Sequence, residues 1–244
     1  LAPYQFLDLF PIIGYASTIQ DFPKFLQARI IELSENLLNG RHLNYQGSHS
    51  NIFVAYGKMP NLLELFCGTK SISRVFEQHG WTCISLDLDP KMEPSICSNI
   101  LDVTPEMILE HGKPDCIWAS PLCTMYSRAR TTAKTPRDLE GSDRLVQKVL
   151  DLARFFDVPF FMENPHSGLL KSREVVQAIP MRVLDYCQYA DDSFPGRYRK
   201  RTAIWTNTDW YPLKPLCLPN VCHFCTDGKT HDHQAQRVSL TGPG

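Results

Sequence analysis

Thiol and carboxyl side chains stand at the ends of short apolar runs in this chain, where a folded sheet would present them to a ligand. Cys123 follows Pro121 and Leu122 just beyond the run Cys116-Ile117-Trp118, and Glu163 closes the run Phe160-Phe161-Met162. A thiolate can attack an electron-poor carbon, and a carboxyl group beside it can stabilise the charge that develops. Taken alone, Cys123 reads as an inert core thiol, because free cysteines are commonly buried. Glu163 is harder to dismiss, since a carboxylate among Phe160, Phe161 and Met162 is costly to bury unless it is paired or functional. A second group lies near the C-terminus: Cys217, Cys222 and Cys225, with His231 or His233. Three thiolates and an imidazole in a segment with too little apolar content to fold unaided suit a tetrahedral structural zinc site. His223, beside the Cys-x2-Cys pair, is an alternative ligand, and the contrary reading is reduced cysteines on a disordered tail.

Several elements must hold these groups. From Pro60 onward, short apolar runs alternate with helical stretches: NLLELFCG reads as a strand, SISRVFEQHG as a helix closed by Gly80, and WTCISLDLD, DCIWAS and PFFMENP as further strands. Ser142 to Phe156 has helical spacing, with Ser142 as its cap. This order predicts an α/β fold, a doubly wound, mostly parallel sheet with helices on both faces and ligands at the carboxyl ends of the strands. There the first strand turns through Cys67, Gly68 and Thr69 into a helix whose first amides face a ligand. The second ends in Asp87-Leu88-Asp89, where a carboxylate about 20 residues past the glycine can take both ribose hydroxyls. Asp102 can reach an adenine from the third strand end, although alone it reads as a capping or loop aspartate. One glycine lacks the dinucleotide fingerprint, so a ligand carrying adenosine without a pyrophosphate fits better.

We divide the chain into an N-terminal helical extension (1–59), a catalytic domain (60–210) and a Cys/His-rich tail (211–244). In the extension, Asp21 caps a helix whose apolar residues run from Phe25 to Leu38. The 244 residues, 43% hydrophobic and 21% charged, suffice for a real core. Nine cysteines, an odd number scattered through apolar segments, argue for reduced thiols inside a cell rather than a disulfide framework. That compartment is cytoplasmic in a prokaryotic or viral setting and nuclear in a eukaryote. No apolar run is long enough to span a membrane, and the opening residues lack the features of a signal peptide. A start at Leu1 reads as a domain cut from something longer. The net charge of −1 excludes a generally polycationic nucleic-acid binder, so such contacts must come from local patches. Two exist: Arg128, Arg130, Lys134 and Arg137, then Arg197, Arg199, Lys200 and Arg201.

In content and order these motifs resemble those of the cytosine carbon-5 DNA methyltransferases. Glu64-x-Phe66-x-Gly68 is similar to that family's S-adenosylmethionine loop, Asp87 stands at its ribose-binding acid and Asp102 at its adenine contact. Pro121-Leu122-Cys123 resembles the Pro-Pro-Cys nucleophile motif, and Glu163-Asn164-Pro165 the Glu-Asn-Val motif. Arg199 and Arg201 resemble the alternating arginines of Gln-x-Arg-x-Arg, with Arg197 at the glutamine. The likeness runs from Leu62 to Asn207; Leu122, Pro165 and Arg197 depart from the pattern, as does Cys67-Gly68-Thr69-Lys70 in place of Gly-x-Gly.

The resemblance implies a DNA cytosine-5 methyltransferase of the compact kind found in phages, large viruses and mobile elements. Phe66, Cys67, Gly68, Thr69, Asp87, Leu88, Asp102 and Pro121 would then line the S-adenosylmethionine site. Cys123 would add to carbon 6 of a flipped cytosine while Glu163, sharing a proton, holds the ring. One of Arg199 and Arg201 would lower the thiol's pKa and the other grip a phosphate or the base. Ser127, Arg128, Arg130, Lys134 and Arg197 would meet the nucleic acid, Ser127 to Arg137 forming a loop that closes over its backbone. The same pocket admits RNA, or another one-carbon transfer to a pyrimidine. A catalytically inactive nucleic-acid-binding module is the non-enzymatic alternative, against which the presence of both Cys123 and Glu163 argues. Only a short stretch follows Asn207, whereas family members carry a substantial target-recognition region. The target sequence and oligomeric state stay open.

Overall fold

The computed structural model describes residues 59–131, 133–189 and 198–231. The expected extension (1–59) lies almost wholly outside them, as do Arg197 and His233. Seven strands form one sheet: β1 (Asn61–Leu65), β2 (Thr82–Asp87), β3 (Ile96–Cys97), β4 (Cys116–Ala119), β5 (Phe160–Pro165), β6 (Met181–Asp185) and β7 (Arg201–Thr206). Their spatial order is β3-β2-β1-β4-β5-β7-β6, and only β7 runs against its neighbours. The carboxyl ends of the other six and the amino end of β7 therefore share one edge.

Side chains alternate across the sheet with period two, and each set meets its own helix. Leu63, Leu65, Ile84, Ile117, Met162 and Trp205 pack with α3 (Leu139–Phe156) through Val146, Val149, Leu152, Ala153 and Phe156. Leu62, Trp118, Phe161 and Ile204 face Ile72 and Phe76 of α1 (Ser71–Gln78), with Trp81, Tyr186, Tyr198 and Trp210 completing that layer. A short α2 (Pro105–Leu109) starts at the Thr104 cap. Helix α3 begins earlier than its spacing implies: Asp138, not Ser142, is the cap, its Oδ1 accepting the Gly141 N–H at 2.7 Å, and Ser142 is already buried in the first turn. β3 and β6 carry too little pattern of their own to be read from the sequence. Among the described residues, no helix is long and apolar enough to cross a membrane.

The turn from β1 into α1 is wound left-handed, with φ of 58° at Phe66, 47° at Gly68 and 58° at Lys70. Lys70 supplies no side-chain cap; the Glu64 carboxylate of β1 does so from across the turn, accepting the Ser73 N–H at 2.9 Å and the Ser73 hydroxyl. Burial raises the Glu64 pKa to about 7 despite those bonds. The sign follows from proton linkage: between pH 4.5 and 7 the folded chain binds a proton that the unfolded chain has released, so stability falls across that window as pH rises. The cost is on the order of 3 kcal/mol. Glu64→Gln should flatten this decline; urea unfolding at pH 5 and pH 7 checks it, and an unchanged slope would assign the decline to another group.

Candidate active site and Cys/His centre

Cys123 lies just beyond β4, exposed, in a turn whose shape is set from below. The buried Asn164 side chain of β5 donates through Nδ2 to Pro121 O at 2.9 Å, tying the end of β5 to the turn that carries the thiol. Buried Tyr126 anchors the far side: its hydroxyl donates to Asp143 of α3 at 2.8 Å and its carbonyl accepts the Leu169 N–H. Leu122, where the resemblance expects proline, is 63% exposed and contributes nothing to the core.

Glu163 is buried on the α1 face of β5, and β7 reaches it. The Lys200 ammonium lies 3.1 Å from Glu163 Oε1, and the Thr202 hydroxyl donates to the same oxygen at 3.4 Å. The Lys200 ammonium also sits over the Tyr186 ring, 4.9 Å from its centroid. Burial opposes its charge, but Tyr186 and Glu163 outweigh that and hold its pKa above the ordinary lysine range. The Cys123 thiol feels the same pair: although the residue is exposed, partial desolvation of the thiol against the protein raises its pKa, Glu163 raises it further and Lys200 pulls it down. Thiol, carboxyl group and ammonium thus share one electrostatic environment at the sheet edge.

The two arginines share a face, as their spacing implies, but do not join the thiol and Glu163, which corrects the expectation drawn from the resemblance. Arg199 and Arg201 do point the same way, but to the opposite side from Lys200, onto the fully buried carboxylate of Asp185. Arg201 binds it with Nη2 at 2.7 Å and Nε at 3.0 Å, and Arg199 Nε lies 3.3 Å away. Burial alone would raise the Asp185 pKa; bonds from Arg201 and from the Cys217 N–H at 2.9 Å hold it below the usual range. Spacing missed Lys200 because a lysine between two arginines reads as part of a basic run.

At the other end of the same edge, Asp87 Oδ2 accepts the Gly68 N–H at 2.8 Å and Oδ1 accepts the Asp89 N–H at 3.0 Å, which locks the β1 turn to the end of β2. Gly68 faces open space, Thr69 and Leu88 are exposed, Phe66 is half-buried and Cys67 buried. Asp102 is exposed in a one-turn helix after β3. Beyond Cys123, Arg130 donates to Thr135 O at 2.8 Å, and Arg137 donates to the carbonyls of Met125 and Ser127. Those two arginines brace their own loop, whereas Arg128 and Lys134 are exposed.

The C-terminal donors gather differently from their sequence pattern. Cys217, Cys222 and His231 meet Cys187, from the one-turn helix Tyr186–Gln188 after β6; all four ligand atoms lie within 4.8 Å of one another. His231 Nε2 is 3.4 Å from Cys217 Sγ and 3.3 Å from Cys222 Sγ. Cys225 is not part of this group; its thiol turns to Asp227 Oδ1 at 3.5 Å. His223 is exposed, and His233 falls outside the described residues. Cys187 escaped the sequence reading because it lies thirty residues before its partners in chain order, and only the fold brings it to them. These four groups could hold a metal ion.

No family model matches the chain. Among solved structures it is similar to a Synechocystis PCC 6803 magnesium protoporphyrin IX methyltransferase with bound SAM, with 12% identity over 80% of this chain and 87% of that one and a TM-score of 0.42. It is also similar to the S. pombe Dnmt2 methyltransferase, with 12% identity over 62% and 53% and a TM-score of 0.42. In sequence it is 30% identical over 173 residues to a probable DNA (cytosine-5)-methyltransferase of Frog virus 3 (isolate Goorha), covering 66% of this chain and 77% of the viral protein. That extent of identity decides the matter: the chain belongs to the DNA (cytosine-5)-methyltransferase family.

Proposed function

We propose that this protein transfers a methyl group from S-adenosylmethionine to carbon 5 of cytosine in DNA, through a covalent adduct with Cys123. One observation carries the reading: the Glu163 carboxyl group and the Lys200 ammonium, 3.1 Å apart, lie at the strand-end edge of the sheet that also carries the turn of Cys123, tied to β5 by Asn164. S-adenosylmethionine would supply an electrophilic methyl on its sulfonium. The residues at the first two strand ends suit it, with open space over Gly68, carboxylate lone pairs at Asp87 still free for ribose hydroxyls, and exposed Leu88 as an apolar surface.

Carbon 5 of cytosine is a weak nucleophile, and the protein's groups address that weakness. The Cys123 thiolate forms a bond to carbon 6, which makes carbon 5 the nucleophilic end of an enamine. Glu163, with Lys200 and Thr202 against it, holds ring nitrogen 3 and the amino group and stabilises the electron-rich ring. The bound cofactor would supply the methyl to carbon 5; a base then removes the carbon 5 proton, the carbon 5–carbon 6 double bond re-forms and Cys123 leaves as the thiolate. A base inside a duplex is out of reach, so the cytosine is flipped into the site at a cost of about a few kcal/mol. Exposed Arg128 and Lys134, with Ser127, are suited to phosphates beside the open strand. The same proposal includes a structural Zn2+ at Cys187, Cys217, Cys222 and His231, the donor set that ion takes.

Incubation with tritiated S-adenosylmethionine should place label in 5-methylcytosine of duplex DNA, and Cys123→Ser should abolish it. A denaturant-stable complex with DNA containing 5-fluorocytosine, absent from the matching RNA, is the expected trap; trapping of RNA alone would move the substrate to RNA. No transfer to either, with cofactor binding intact, would leave a binding module instead.

The charges around the thiol make a further prediction. Desolvation and Glu163 hold the Cys123 thiol above its ordinary range in the free protein, so its alkylation by iodoacetamide should still be climbing with pH beyond that range. Glu163→Gln should shift that profile to lower pH and Lys200→Met to higher pH, as mapped on the Cys123 peptide. Both should nonetheless slow methyl transfer, by about 10²-fold or more, because each removes stabilisation of the reacting ring. Identical profiles in the two variants would detach these charges from the thiol.

A further inference from the structure

His231 and two of the three thiols grouped with it already stand at the spacing of neighbouring ligands in a tetrahedral site. A tetrahedron built on Zn–S of about 2.3 Å and Zn–N of about 2.0 Å has edges of about 3.5 Å. The His231 contacts to Cys217 and Cys222, at 3.4 and 3.3 Å, match such edges. In the surrounding segment Leu213, Leu216, Leu218 and Val221 are exposed, and the buried apolar cluster centres on Cys217 and Phe224 against Cys187, with Cys222 beside it.

We propose that a Zn2+ ion bound by Cys187, Cys217, Cys222 and His231 fixes the position of Lys200, the cation facing Glu163, and so acts as a positioning element for catalysis. This rests on the zinc reading given above and adds a role to it. Two independent links run from the donors to Lys200. Cys187 directly follows Tyr186, whose N–H donates to Lys200 O at 3.1 Å and whose ring lies beneath the Lys200 ammonium. Cys217 donates its N–H to Asp185 at 2.9 Å, and Asp185 clamps Arg199 and Arg201, the residues on either side of Lys200. The backbone at Lys200 is thus held at its carbonyl and on both flanks by groups adjacent to the ion. Outer partners of this kind are worth about 10- to 100-fold in activity or metal affinity at metal sites.

The test uses the full chain purified without chelator. Elemental analysis should find about one zinc ion per chain. Removal of the ion with 1,10-phenanthroline should shift the Cys123 alkylation profile to higher pH and lower kcat for methyl transfer by about tenfold or more, and Zn2+ but not Mg2+ should restore both. The thiol is the reporter because Glu163 raises and Lys200 lowers its pKa, with Thr202, Tyr186 and Tyr198 around that pair. Lys200→Met should show the raised profile with zinc still bound and no further shift when the ion is removed. If circular dichroism shows that the metal-free chain unfolds, Tyr186→Leu decides, since it keeps all four donors: full zinc with a raised profile supports the link, and full zinc with an unchanged profile overturns it. Zinc present but without influence on profile or kcat overturns the positioning role and leaves the zinc site standing. Absence of zinc from the purified protein removes the site and this role together.

Discussion

β7 runs against β5, so residues that follow one another along it face alternate sides of the sheet while Glu163 stays on one side. Lys200 and Thr202 fall on the Glu163 side; Arg199 and Arg201 fall on the side of Asp185. A slip of one residue in that register would exchange them and place arginines on Glu163 and a single ammonium on Asp185. The register is secured from both flanks, since β6 pairs with β7 from Met181↔Trp205 to Asp185↔Arg201. Everything chemical at this end of the sheet depends on that phase.

The two acidic residues beside β7 show how partner and environment separate their tasks. Asp185 is fully buried and bound by two guanidinium groups and a backbone N–H, which suits a fixed charge that organises structure. Glu163 meets one ammonium and one hydroxyl among the described residues, both on the same oxygen. Two carboxylates of the same sheet edge are thus committed to different work by what β7 sets against them.

Much of this arrangement was legible in the sequence, and the gaps have physical causes. The strands β1, β2, β4 and β5 are apolar runs that end in polar residues, so their order and shared edge could be read from residues such as Leu62–Leu65 and Phe160–Met162. β3 is two residues long, and β6 is only half-buried at Met181, Arg182 and Val183, so neither carries a pattern. Glu163 stood out because a carboxylate in an apolar run demands an explanation, whereas Cys123 stood out only through its place in the ordered set of motifs. Lys200 and Cys187 did not. What selects Lys200 over its arginine neighbours is the face of the strand, and what joins Cys187 to the tail is topology; neither has a local signature.

The donor contributed by Cys187 also constrains how the protein can be recombined. A segment whose buried Cys/His cluster is completed by a residue next to the sheet is not an interchangeable cassette. A chimera joined after Trp210 would take one of the four clustered donors from one parent and three from the other, whereas one joined before Met181 would carry β6, Cys187, β7 and the tail as a set. Exchange between relatives should therefore succeed at the boundary preceding β6, and the heritable unit at this end of the molecule is larger than its composition suggests.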